Sequence, residues 1–487
     1  MKTSRYIFII PLLLIRLVAV AQSLKPTDEV RDKIQQVEKN LVGRVQIEGE
    51  GPWTIQERMA LYKVPGLSIA VIHNYKIEWT KSYGWADVDQ KIPVTDNTLF
   101  QAASLSKSLN AVGVLKLAQE HRLDLDKDIN DYLVSWKFPY DSVSKGKKIT
   151  AKNLLSHTAG LNVHGFKGYT NGTAIPTVVQ VLNGSKPANS EAIHSMTEPG
   201  LRSEYSGGGT TISQLVVVDI THEPYDQFMK REVLKPLGMI ASTFSQPPAE
   251  IKPTLLATGY RVDGKEVPGK YNVYPEEAAA GLWTNPTDLS KYIIETQLAY
   301  EGRSSKVLDQ ATTQLRLTPY LNKVAALGVF INDFNGLKYF GHSGSNEGFV
   351  CQYNGSLEGG NGLVIMVNSD NGAIIAEISN SIAKVYQLKG LYRSKVFKPI
   401  AVDAAVLQSY IGKYELKQDL MMTIVLEGNQ LYSLVNDEHK RAITPETQSK
   451  FFFKEDGSEI EFIKNDKMEV EKIAFFQGSI LEAKKIK

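Results

Sequence analysis

Ser104 and Lys107 stand three residues apart, and on a helix that spacing places both side chains on one face, about one turn apart. A serine hydroxyl beside a lysine amine is equipment for acyl transfer: the hydroxyl attacks a carbonyl, and the amine takes or relays its proton once burial has lowered its pKa. A helix start adds a dipole that favours the negative charge developing there. The same spacing recurs at Ser142 and Lys145, Ser144 and Lys147, and Ser381 and Lys384. The first two pairs lie in a polar, lysine-rich stretch beside Gly146, and Ser381 falls midway along an amphipathic segment. Only Ser104 opens a helix after a pair of strands.

Other chemistries find less support. His157 and His164 are accompanied by no His-Glu-x-x-His pattern, cysteine pair or carboxylate cluster, so no metal or other cofactor is expected. Gly207 to Gly209 and Gly359-Gly360 lack the preceding strand and the lysine ending of a phosphate loop and read as turns. Gly341 to Ser345 comes close to a nucleophile elbow, but its fifth residue is serine where glycine is required.

The elements that must position Ser104 follow from periodicity. Thr27 can cap a helix carrying Val30, Ile34, Val37 and Leu41, and Thr54 with Glu57 forms a capping box. Strands are expected at Leu67 to Ile72 and Lys76 to Tyr83, turning at His73-Asn74, and a helix from about Ser104 to Glu120. Residues from Lys148 to Tyr300 read as a largely helical lobe lining a cleft. Strands return near Leu327 to Ile331, Lys338 to Phe340, Phe349 to Tyr353 and Gly362 to Asn368, and a helix over Ile374 to Leu388 closes the domain. The fold class expected is α+β, a layered α/β/α arrangement of antiparallel sheet plus helical lobe. From about Ile400 the chain turns to short alternating segments, Met421 to Leu426, Gln430 to Val435, Phe451 to Lys454 and Glu459 to Ile463, which predict a small all-β module. The expected division is a signal peptide over 1–21, a main domain over 22–397 and an accessory domain over 398–487.

A chain of 487 residues with 43% apolar and 22% charged residues has the composition of an ordinary soluble globule. Lys2 and Arg5 precede the apolar run Tyr6 to Ile15, and Ala19-Val20-Ala21 fits a cleavage site, so export to the periplasm or beyond the cell is expected; the competing reading is a buried N-terminal helix. The run is too short to span a membrane. Cys351, the single cysteine, excludes an intramolecular disulfide and a lipid anchor behind the cleavage site. Losing the leader's three basic residues turns the net charge from +2 to −1, which disfavours nucleic acid or an anionic membrane as a partner.

Five segments occur in a telling order: Phe100 to Lys107 (FQAASLSK), Leu154 to Leu161 (LLSHTAGL), Glu204 to Gly209 (EYSGGG), Gly281 to Leu289 (GLWTNPTDL) and Gly341 to Phe349 (GHSGSNEGF). Together they resemble the serine β-lactamase and penicillin-binding-protein-like family, in its class C branch, over roughly Val64 to Leu388. The tail from Ile400, with Tyr410 to Glu415 (YIGKYE), is similar to small β-barrels appended to such hydrolases. The resemblance implies a β-lactamase/transpeptidase-like fold, Ser104 as nucleophile, Lys107 as its partner and Tyr205 as a second proton carrier. His342 stands where many relatives have lysine, in the third motif with Ser343 and Gly344, and the backbone N–H groups of Ser104 and Ser345 would form the oxyanion hole. The family's second motif ends in asparagine, where this chain has Gly207; Tyr169 with Asn171 and Tyr320 with Asn322 match that motif formally. His157 is expected to hold a loop. The implied activity is hydrolysis of an amide or ester, foremost in a D-amino-acid-containing peptide, in the manner of a D-Ala-D-Ala carboxypeptidase, with β-lactamase or carboxylesterase activity as alternatives. A penicillin- or peptidoglycan-binding sensor that acylates with little turnover is the alternative of another class.

Overall fold

A computed structural model describes residues 26–417, 420–477 and 479–486; the expected leader over 1–21 lies outside them. Thr27 accepts a hydrogen bond from the Val30 N–H and starts α1 (Asp28–Lys39), and the Thr54–Glu57 capping box opens a short helix over Ile55–Tyr62.

The strands β1 (Gly66–His73) and β2 (Lys76–Asp87) form a hairpin whose turn is Asn74-Tyr75, one residue later than expected. Both residues have positive φ, 51° and 61°, the pairing that matches the twist of a two-residue hairpin loop. With β3 (Ile92–Pro93), β4 (Phe330–Phe334), β5 (Leu337–Asn346), β6 (Phe349–Ser356) and β7 (Gly362–Val367) they make one seven-stranded sheet, ordered β3-β2-β1-β7-β6-β5-β4. Every neighbouring pair is antiparallel.

The central strands are apolar on both faces because both are covered. Leu67, Ile69 and Val71 of β1 and Leu363, Ile365 and Val367 of β7 pack with α1 and α5 (Ala373–Val385). The alternate residues Ala70, Ile72, Val364 and Met366 join the larger core with α2 (Ser106–Gln119), α3 (Gly207–Thr221) and α4 (Pro286–Tyr300). The result is the layered α/β/α fold expected from the sequence.

Helix α2 differs in its start: Ala103–Leu105 is a separate 3₁₀ turn, and the α-helix begins at Ser106. It is buried on almost every side, so its polar residues need partners inside the protein. Ser108 donates to the Gly328 carbonyl at 2.9 Å, and the Asn110 amide donates to Ser213 Oγ at 2.9 Å.

The C-terminal part is a closed eight-stranded barrel from Gly412–Lys417 to Ser479–Ile486, sealed where Lys413 pairs with Ile486. Tyr414, Ile424, Leu431, Ile443, Ile460, Phe462 and Ile473 fill it. It meets the main domain where Lys395–Phe397 pairs in parallel with Val45–Ile47 and the Phe397 ring stacks on Phe452, centroids 4.1 Å apart. A chain ending at Phe397 is expected to retain covalent labelling at Ser104 while losing about 1.5–3 kcal/mol of stability as Phe397 is uncovered; a melting curve alongside a labelling gel checks both.

Candidate active site

The turn that carries Ser104 is held by three hydrogen bonds, two of them to Leu282. The Ala102 N–H donates to the Leu282 carbonyl at 2.8 Å, Ser106 Oγ donates to the Ala103 carbonyl at 2.6 Å, and Ser106 Oγ accepts from the Leu282 N–H at 3.0 Å. Ala103 sits at φ 47°, in the left-handed region that costs a non-glycine residue about 1 kcal/mol or more. From β5 comes Gly344, where an added Cβ would lie 2.6 Å from the Ala102 oxygen and 2.9 Å from the Ser104 nitrogen. Glycine at this position therefore lets the strand backbone run directly beside the Ser104 amide.

Lys107 Nζ donates to Ser104 Oγ at 3.2 Å and to the Ala279 carbonyl at 2.7 Å. The side chain is buried, and among the described residues no carboxylate pairs with it. Desolvation without a counter-ion lowers its pKa to about 7, which leaves much of the amine neutral near neutral pH.

Tyr205 lies over this pair, with Lys107 Nζ 5.0 Å from its ring centroid. Burial raises the phenol to about 12, and its hydrogen bond with Ser104 acts in the opposite direction. His157 fixes the loop: its carbonyl accepts from the Glu204 N–H at 2.7 Å and its Nδ1 accepts from the Ser206 N–H at 3.2 Å. Accepting at Nδ1 places the proton of the neutral ring on Nε2. Burial and then the Lys107 charge hold His157 well below the usual histidine range. Phe330, which sequence reasoning missed, backs the rings of His157, Tyr205 and His342 at centroid distances of 6.2, 6.4 and 5.1 Å. Its strand was legible; which face it presents to the cleft was not.

His342 is buried and neutral, with burial and then the Lys107 charge lowering its pKa to about 4. Nδ1 lies 2.6 Å from the Ser343 carbonyl and must carry the proton, so Nε2 is a bare acceptor, and it has no hydrogen-bond partner among the described residues. Pairing with β4 ends at Gly341, so from His342 through Ser345 β5 is bonded to β6 on one side only and turns its other edge to the cleft. Ser343 and Ser345 lie on that edge on either side of Gly344. At its end Asn346 Nδ2 donates to Gln101 Oε1 at 2.8 Å and to the Ala280 carbonyl at 3.2 Å, tying the strand to the segment before Ser104 and to the backbone beside Ala279. Gln101 and Asn346 fall inside two of the motif segments, but their roles, like that of the Ala279 carbonyl, depend on contacts between distant parts of the chain that the sequence does not show.

Gly207 opens α3, and a Cβ there would meet the His164 carbonyl at 3.0 Å and the Phe166 ring at 3.1 Å. The 164–165 backbone and the Phe166 ring thus crowd the space a side chain at 207 would need. The formal alternatives lie elsewhere: the Tyr169 hydroxyl accepts from the Asn189 N–H in a two-residue strand paired with Asn272–Val273, and Tyr320 borders Lys152. The other Ser/Lys spacings are structural. Ser142 and Ser144 share a 3₁₀ turn, Ser144 Oγ is 3.0 Å from Ser195 Oγ, and Ser381 Oγ donates to the Val37 carbonyl at 2.8 Å. Among the described residues no cluster of His, Cys, Asp and Glu is arranged to hold a metal.

An antiparallel sheet between helical layers, with a serine beside a buried lysine at the foot of a helix, is the β-lactamase and transpeptidase fold. The chain belongs to the beta-lactamase family, whose profile matches residues 54–382. It is 26% identical over 370 residues to Protein flp of Staphylococcus aureus (strain N315), covering 74% of this chain and 70% of that one. Among solved structures it resembles the octameric penicillin-binding protein homologue from Pyrococcus abyssi, with a TM-score of 0.60 and 22% identity over 88% of this chain and 98% of that one. It also resembles the D-amino acid amidase from Ochrobactrum anthropi SV3, with a TM-score of 0.56 and 20% identity over 74% and 99% of the two chains.

Proposed function

We propose that the protein is an exported serine hydrolase that opens an amide or ester bond in a D-amino-acid-containing peptide through an acyl-enzyme at Ser104. The observation that carries the reading is the 3.2 Å approach of Lys107 Nζ to Ser104 Oγ, with the amine desolvated to a pKa of about 7. Neutral Lys107 takes the Ser104 proton as the oxygen attacks the carbonyl carbon. The N–H groups of Ser104 and Ser345 receive the carbonyl oxygen as it becomes an oxyanion. The C–N or C–O bond then breaks, and the leaving group takes a proton from Tyr205, which Lys107 restores. Water, deprotonated by the same pair, attacks the ester carbonyl and releases the acid and free Ser104.

The two pKa values divide the work between lysine and tyrosine: a group near 7 is matched to a base at neutral pH, while a phenol near 12 stays protonated and acts as a donor. Tyr205→Phe is accordingly expected to lower kcat by about 100-fold with KM within a few-fold, and Tyr169→Phe to match wild type, as steady-state kinetics would show.

His342 bears on the substrate. A neutral acceptor where many relatives have lysine offers no positive charge to a substrate carboxylate, which favours D-amino-acid amides and esters over free C-terminal peptides and β-lactams. The test is a panel of a D-amino-acid amide, a D-Ala-D-Ala peptide, a p-nitrophenyl ester and a chromogenic cephalosporin. Turnover led by the amide or ester is expected. A lead by the cephalosporin would make the protein a β-lactamase, and a burst without turnover on every substrate would make it a sensor.

A further inference from the structure

On the sheet face opposite Ser104 is a cavity of about 170 Å³. Cys351 and Tyr353 of β6 reach toward the Ser104 side, Cys351 to the Ala102 carbonyl and Tyr353 to Ser108, so the alternate residues Gln352 and Asn354 point the other way. They line the cavity together with Asn332 of β4, Ser379 of α5, Arg44 and Arg393. We infer that this cavity is a binding site for a small tetrahedral oxyanion of the phosphate class.

Two arginines line it, both partly open to solvent, and among the described residues neither Arg44 nor Arg393 forms an ion pair. The acids nearest in the chain and on α5 are committed elsewhere, Glu48 to Lys398 and Glu377 to Arg58 and Tyr62. Burial and then the Arg44 charge press the Arg393 guanidinium below its usual value, an imbalance that a bound anion relieves.

The arginines are placed by the fold. A single buried amide, Asn380 on α5, donates to the Val42 and Gly43 carbonyls at 3.0 and 3.2 Å and accepts the Arg393 N–H at 2.9 Å, so one side chain fixes both arginine-bearing segments. The Arg44 carbonyl accepts the Lys395 N–H at 2.8 Å, and the Arg393 guanidinium rests on the Phe334 ring, 4.6 Å from its centroid. Ser379 Oγ is buried with no hydrogen-bond partner, a donor left open.

Ligand class follows from charge and size. Two neighbouring cations with amide and hydroxyl donors suit a dianion with several acceptor oxygens better than a singly charged carboxylate. The volume is below the ~300–1,000 Å³ of pockets for drug-sized ligands, so the site takes an anion or the phosphate head of something larger.

The test titrates full-length protein with inorganic phosphate, glycerol phosphate and acetate at constant ionic strength, read by calorimetry and thermal melting. Saturable phosphate binding is expected, at least about tenfold weaker in Arg44→Gln and in Arg393→Gln and lost in the double variant, with Ser104 labelling unchanged throughout. Should either arginine variant fail to fold, Gln352→Leu is expected to weaken binding by a smaller factor. Glycerol phosphate binding as well as inorganic phosphate would identify a phosphorylated ligand as the occupant, and binding of inorganic phosphate alone a free ion. Absence of saturable binding, equal binding in the double variant, or acetate binding as tight as phosphate would overturn the assignment.

Discussion

Ser104→Ala is expected to abolish burst formation and to lower kcat on the best substrate of the panel by at least about 1,000-fold. In the proposed mechanism the hydroxyl is the group that bonds to the substrate, so the loss is large, and what survives its removal is binding and oxyanion stabilisation with water as nucleophile. Ser104 is placed by a backbone framework, the Ala102 to Leu282 bond and the 3₁₀ turn beneath it, rather than by its own side chain. The variant should therefore melt near wild type, separating lost chemistry from lost folding. Ser142→Ala, Ser144→Ala and Ser381→Ala retain wild-type turnover on this account.

Lys107→Met is expected to lower kcat by about 1,000-fold, in the middle of the range for general acid–base catalysis. Lys107→Arg should be no better, since a guanidinium stays protonated at any working pH. The wild-type pH profile carries the same information. In the proposed mechanism the active form of Lys107 is the neutral amine, so kcat/KM is expected to rise with pH through about 7 and to be lost as the amine protonates below it. Tyr205 keeps its proton to about 12 and contributes no alkaline fall in the working range. In the Lys107→Met variant the limb near 7 disappears. Stability should hold or rise, because a desolvated amine without a counter-ion is exchanged for an apolar side chain of similar length.

Much of this was legible in the sequence because it is local. The three-residue spacing of Ser104 and Lys107, the Thr54–Glu57 box and the short continuous apolar runs of β1 and β7 each depend on neighbours within a few residues. What was not legible depends on distant contacts. The 3₁₀ turn at Ala103–Leu105, with Ala103 at positive φ beside Gly344, breaks a pattern that reads as one helix from Ser104. The barrel strand Glu438–Pro445 has four polar or charged residues at its start and one fully buried apolar side chain, Ile443, so periodicity alone does not find it. The barrel's closure between Gly412–Lys417 and Ser479–Ile486 joins segments about sixty residues apart, a pairing invisible to any short window. His342 and Tyr205 were reached through motif resemblance; that one is a neutral acceptor and the other a protonated donor follows from burial, which only the fold determines.

Peptide mapping of wild-type protein after reaction with a fluorophosphonate is the most direct test of the central claim. A single adduct on Ser104, forming faster as pH rises through about 7, is the predicted result. An adduct on Ser343 or Ser345 instead, or modification of Ser104 at a rate independent of pH across that range, would contradict it.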